Sequence, residues 1–110
     1  MTLLRGLDFI AVMDIPEIPL KPAPKTAPAK KAIGFKWNDE AGKRHKLGGK
    51  PDWLQKKRDE TPNCADCREK MTFYGQLDSI GSEYDLADCG MIYVFVCFGC
   101  FTTQSVLQAG

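Results

Sequence analysis

A mostly β fold, built as one small antiparallel sheet, is predicted by three observations. Two Cys-x-x-Cys pairs occur, Cys64-Ala-Asp-Cys67 and Cys97-Phe-Gly-Cys100. The run Met91-Ile-Tyr-Val-Phe-Val96, which leads into the second pair, is β-branched or aromatic at every position after Met91. That composition fits a pleated, half-buried surface. The run that leaves the first pair, Met71-Thr-Phe-Tyr-Gly-Gln-Leu-Asp78, places apolar side chains at Met71, Phe73 and, after Gly75, Leu77. Four thiolates supplied from two tight turns are what a tetrahedral zinc ion requires, and a four-cysteine set leaves no position for a substrate or an activated water. The expected fold is therefore a zinc-ribbon-like, zinc-stapled sheet, with one structural zinc on Cys64, Cys67, Cys97 and Cys100.

The interval of 29 residues between the pairs exceeds the roughly 15 to 20 of the common two-knuckle pattern, so strands are expected between the two halves of the site. A redox pair, disulfides and buried free thiols are the competing readings of these cysteines. A redox CxxC usually opens a helix in a βαβ unit, whereas Cys97 follows a strand-like run. Disulfides suit an oxidising compartment. The start, Met1-Thr-Leu-Leu-Arg-Gly-Leu-Asp, lacks a charged leader followed by an apolar core, so a cytoplasmic location is expected. Cys89 is left over, read either as a small buried residue or as a substitute ligand or reactive thiol.

Taken in order, residues 1–18 read as an N-terminal strand segment, centred on Leu7-Asp-Phe-Ile-Ala-Val-Met13. Residues 19–32 read as a Pro/Ala/Lys-rich linker. Its core, Pro19-Leu-Lys-Pro-Ala-Pro-Lys-Thr-Ala-Pro28, is expected to be extended and exposed, because proline lacks the donor that a helix interior or a central strand needs. Residues 33–110 read as the zinc-binding β domain. Within it, Ala32-Ile-Gly-Phe-Lys-Trp37 alternates like a strand and Asn38-Asp-Glu-Ala-Gly42 supplies a turn. In Lys46-Leu-Gly-Gly-Lys-Pro-Asp-Trp53 the glycine pair permits geometry or close approach that a side chain would forbid, and Trp53 is placed to cap the core. Ser79 to Asp88 reads as an acidic loop, and Phe101 to Leu107 as a last strand or a closing turn.

At 110 residues and 44% hydrophobic, the chain can bury a modest core that gains from a metal staple. No apolar stretch approaches the 18 or so residues of a membrane span, so no membrane partner is expected. The formal net charge of +1 conceals a segregation: residues 21–58 hold twelve of the fifteen basic residues against three acids. Such asymmetry is compatible with nucleic-acid contact. Aromatic interleaving is sparse, however, limited to Phe35, Trp37 and Trp53, so base stacking is weakly supported. Chemistry is equally sparse. His45 is the lone histidine, set among cations in Lys43-Arg-His-Lys46; it reads as a surface residue or, more sharply, as a ligand replacing a cysteine. The acids read as a solvated face, so no enzyme is expected.

The succession Lys46-Leu-Gly-Gly-Lys-Pro-Asp-Trp-Leu-Gln55, Pro62-x-Cys-x-x-Cys67, Met71-Thr-Phe-x-x-Gln-Leu-Asp78 and Gly90-Met-Ile-Tyr-Val-Phe-Val-Cys97 resembles the YwqG family and the related programmed cell death protein 2 family. The resemblance spans about Ile33 to Cys100. It implies a β-rich cytosolic protein without enzymatic chemistry that binds other proteins, as chaperones of a ribosomal protein or as toxin-immunity proteins. Carried over by motif, it assigns partner binding to Gly48, Gly49, Pro51 and Trp53 of the loop, and to Gln76 and Asp78 after the first cysteine pair. This chain is about half the length of larger members, and homodimerisation would compensate. The expected function is thus a zinc-stabilised protein-binding module with a basic partner protein. A nucleic-acid-binding zinc ribbon and a CxxC thiol oxidoreductase are the alternatives.

Overall fold

The computed structural model describes residues 13–33, 43–80 and 84–110. They form a single five-stranded antiparallel sheet in the order β1-β2-β3-β4-β5. The strands are β1 (Ile18–Pro19), β2 (Lys46–Leu47), β3 (Thr72–Asp78), β4 (Met91–Val96) and β5 (Thr103–Gln108). One short helix, α1 (Ala27–Ile33), lies between β1 and β2 in sequence. Strand order follows chain order, the simplest topology for consecutive antiparallel strands. The mostly β expectation holds, and β3, β4 and β5 fall on the runs that predicted them.

Two expectations are corrected. Residues 19–31 are exposed, apart from half-buried Ala29, but the linker is not extended throughout. Thr26 caps α1, its Oγ1 accepting the Ala29 N–H at 3.3 Å and its carbonyl accepting the Lys30 N–H at 2.9 Å. Pro28 lies in the first turn, where no intrahelical donor is required, so it does not bar the helix. Ala32 and Ile33 consequently end a helix rather than begin a strand; the remainder of that expected strand and its turn lie outside the described residues, as does most of the strand expected at 7–13. Pro19 pairs with Lys46 at the sheet edge, the position in a sheet that tolerates proline.

The second correction concerns which face of β3 is inside. Strict alternation would put Leu77 with Phe73 in the core, yet Leu77 is 50% exposed. The register shifts between Phe73 and Gly75, so Phe73 faces Phe95 while Gly75 faces Val94. The extra residue, Tyr74, is a bulge, and a one-residue slip sends every later side chain to the opposite face. Gln76 and Asp78 therefore turn inward. Gly75 is required there, since a Cβ would stand 2.8 Å from the Lys46 carbonyl oxygen.

The core is the inner face of β3 and β4: Met71, Phe73, Met91, Tyr93 and Phe95, continuous with Cys64 and Cys97. Residues 52–60 form a strap across this face. Trp53 packs on Tyr93 and Phe95, with ring centroids at 4.5 and 6.0 Å. The strap is latched by one polar side chain from each of β3, β4 and β5. Gln76 of β3 accepts the Asp52 N–H at 3.0 Å. The Tyr93 hydroxyl of β4 donates to the Asp52 carbonyl at 2.8 Å and accepts the Leu54 N–H at 3.1 Å. Gln108 of β5 accepts the Gln55 N–H and donates to the Arg58 carbonyl, both at 2.8 Å. A buried polar group is retained when it is paired, and these groups hold the strap on the sheet's inner face.

Candidate metal centre

Each Cys-x-x-Cys pair sits in the turn of a hairpin, and the two turns are built alike. In the first, the Arg68 N–H donates to the Cys64 carbonyl at 2.7 Å, and the Cys64 N–H to the Glu69 carbonyl at 2.8 Å. In the second, the Phe101 N–H donates to the Cys97 carbonyl at 2.6 Å, and the Cys97 N–H to the Thr102 carbonyl at 2.8 Å. Asn63 bridges Lys70, and Val96 pairs with Thr103 at the matching positions. The residue after each second cysteine is left-handed, Arg68 at φ 61° and Phe101 at φ 62°, as the sharp reversal demands. In the first turn the Cys67 N–H also points at the Cys64 sulfur, 3.4 Å away.

The four Sγ atoms lie within 4.8 Å of one another. A tetrahedron with metal–sulfur distances of about 2.3 Å has sulfurs about 3.8 Å apart, so the cluster can close on one ion. It is not a pair of disulfides. None of the four is in a disulfide, and the contact between the pairs, Cys64 Sγ to Cys100 Sγ at 3.4 Å, is far beyond an S–S bond of about 2.05 Å. Cys64 and Cys97 are buried, and Cys67 and Cys100 are exposed. The two inner cysteines thus belong to the core and the two outer ones face solvent.

Sulfur proton affinities diverge within this cluster. Hydrogen bonds from the Thr102 side chain and backbone, then from Cys64, bring the Cys100 thiol down to about 6. Hydrogen bonds shared with Cys100 and Cys97 push Cys67 up to about 12. Four adjacent thiols resist ionising together, so Cys100 is favoured as the thiolate and Cys67 is held against losing its proton. A bound dication removes this conflict by favouring thiolate at every position. A zinc ion held here would be structural, because four protein sulfurs leave it no open position.

Neither His45 nor Cys89 joins the cluster. His45 Nδ1 accepts the Asp78 N–H at 3.0 Å, at the end of β3 remote from the first hairpin turn. Cys89 precedes β4 while Cys97 follows it, and at about 3.3 Å per residue a six-residue strand separates them by roughly 20 Å. The Cys89 backbone belongs to a turn, its N–H donating to Asp85 Oδ1 at 2.7 Å and its carbonyl accepting from Arg44 at 3.2 Å.

The six residues assigned to partner binding divide into two groups. Gly49, Pro51 and Trp53 line an open cavity of about 350 Å³ floored by Met71 and Phe73 and rimmed by Lys50 and Lys70. Gly48 sits in the same loop; at φ 65° with a would-be Cβ only 2.2 Å from the Pro16 carbonyl oxygen, it admits no side chain. Gln76 and Asp78 are 1% and 3% exposed, too deep to meet a partner. Asp78 takes a two-pronged contact from Arg44, at 2.8 Å from Nε and 2.7 Å from Nη2. Burial pushes its carboxyl upward, but the hydrogen bonds and charge of Arg44 outweigh it and hold the group below the usual carboxylate range. Gln76 donates to the Arg44 carbonyl at 2.8 Å and to Asp52 Oδ2 at 3.0 Å. Buried Lys46 bridges Glu17 and Asp52 at 3.0 and 3.1 Å. This polar hub fixes the loop to β3, a structural role that the motif pattern did not separate from binding. Tyr93 and Gln108, which latch the strap, were not singled out from the sequence; their signal is a polar-tipped side chain at the inward position of an otherwise apolar strand.

The chain is 37% identical over 62 residues, or 56% of its length, to an uncharacterised protein, YpfL, of Salmonella typhimurium strain LT2. The match spans 14% of that relative. No protein-family model matches the chain, and no solved structure matches it. Among the described residues, no helix is long and apolar enough to cross a membrane.

Proposed function

We propose that this chain is a zinc-stapled β module that recognises another protein and carries out no chemistry of its own. The closed four-sulfur centre carries the reading, since a four-cysteine set offers neither an open coordination position nor an activated water. The polar groups deepest in the fold are also committed: Gln76, Asp78 and Gln108 each complete hydrogen bonds within the fold. The YwqG-like succession of motifs, and the kinship to programmed cell death protein 2 that it implies, point the same way. Two features weigh against the nucleic-acid alternative. Arg44 and Lys46, from the centre of the basic segment, are engaged by Asp78, Glu17 and Asp52, and the large hydrophobics Leu77 and Leu107 are each 50% exposed. The hairpin setting of both cysteine pairs weighs against the oxidoreductase, whose reactive pair draws its low pKa from a helix start.

Elemental mass spectrometry on protein purified without added metal tests the centre, with about one zinc per chain expected and Cys64→Ser expected to abolish it. Binding to mixed RNA and DNA across a salt series tests the recognition reading. Weak retention at every salt concentration is expected; tight binding that falls steeply with salt would establish the nucleic-acid ribbon instead.

A further inference from the structure

We propose that the edge of β5, unpaired among the described residues, is a docking site for an extended, uncharged segment of a partner protein, which joins the sheet as a sixth strand. The proposal rests on the protein-recognition reading and names the surface that performs it. The hydrogen bond from the Cys97 N–H to the Thr102 carbonyl sets the ladder's phase. Given the register Val96↔Thr103 to Met91↔Gln108, Gln104, Val106 and Gln108 turn their N–H and C=O groups toward β4. In an antiparallel ladder the alternate residues turn theirs outward, so Thr103, Ser105 and Leu107 present three donors and three acceptors along the edge.

The two edges of the sheet differ. β1 is two residues long, ends in Pro19 and is followed by Pro22 and Pro24, devices that block further pairing. β5 is six residues long with no proline. It also lacks charged gatekeepers: from Gly90 to Gly110 there is no Asp, Glu, Lys, Arg or His, in a chain that is 26% charged. A neutral edge gives an acidic or basic segment no pairing charge, and so favours an uncharged one. Across the outer face, Leu77, Ile92 and Leu107 stand opposite one another on β3, β4 and β5. This apolar row ends at the edge, where an apolar side chain on an incoming strand would continue it. The edge is about 20 Å long and one strand high, well short of the roughly 800 Å² per partner that a stable dimer needs. It therefore suits a single strand from another protein better than a second copy.

The Ser105 N–H points away from β4, so Ser105→Pro removes an edge donor without breaking the existing ladder. Random decapeptides displayed on phage are selected on the zinc-loaded full chain, and the selected peptides are measured against wild type, Ser105→Pro and Leu107→Lys. The expected peptides are uncharged and alternate β-branched residues, and both variants weaken them at least tenfold with unchanged zinc content and circular dichroism. Leu107→Lys alters only an exposed side chain and serves if the proline variant misfolds. Selected peptides that bind the variants as tightly as wild type would overturn the edge site and leave protein recognition standing. Failure to select any peptide, with salt-dependent retention of mixed RNA, would overturn both. A wild-type dimer dissociated by Ser105→Pro would replace the partner with a second copy.

Discussion

Arg68 and Phe101 occupy a conformation that L-residues pay to adopt, at φ 61° and 62°, because each completes a turn around a cysteine pair. Left-handed backbone disfavours a Cβ by about 1–2 kcal/mol. Arg68→Gly is expected to raise the melting temperature, corresponding to about 1 kcal/mol after the greater freedom of unfolded glycine is allowed for. Asp78 shows the opposite dependence on its neighbour. Its carboxyl is held below the ordinary value by Arg44, so its contribution is complete above the unfolded value of about 3.9 and is lost as pH falls through the lower folded one. Asp78→Asn should lower stability by about 2 kcal/mol at pH 7, and denaturant titrations should show the gap to wild type closing as pH falls below about 4. At this scale the clustering of Cys64, Cys67, Cys97 and Cys100 is legible, because their spacing marks them. The roles of Gln76 and Asp78 are not, because a motif records which residues recur together and not whether they face inward or outward.

Elements were legible where composition decides them and obscured where one residue changes the phase. β4 alternates without interruption and was readable from Met91 to Val96. β3 contains the Tyr74 bulge, so reading its apolar residues as one face put Leu77 inside and left Gln76 unexplained. The strap at 52–60 has no periodicity to announce it; its order comes from three latches supplied by distant strands. Gln108→Ala should leave the Gln55 N–H and the Arg58 carbonyl without their partner, at about 1–3 kcal/mol. Hydrogen exchange at the Gln55 amide is expected to accelerate at least tenfold while amides of β4 keep their protection, which would distinguish a freed strap from general unfolding. α1 is not legible in the sequence, because Pro28 reads as a helix breaker unless its place in the first turn is known.

Among the described residues, cysteine cluster and core form one body, since Cys64 and Cys97 are among the seven buried hydrophobic residues of the core. A strong chelator is expected to abolish the cooperative thermal transition and the near-ultraviolet signal of Trp53, and restored zinc to recover both. Retention of both signals after the metal is removed would show that the sheet stands without its staple.

The likeness of the two hairpin turns bears finally on the order in which the protein assembles. Each turn closes through bonds between residues no more than five apart, so each can form in a chain that has not yet found its fold. Joining them spans 29 residues at a loop-closure cost of about 3 kcal/mol. On the proposed zinc reading, an ion captured by one cysteine pair would become a tethered bait for the other, and folding would run at the pace of metal supply.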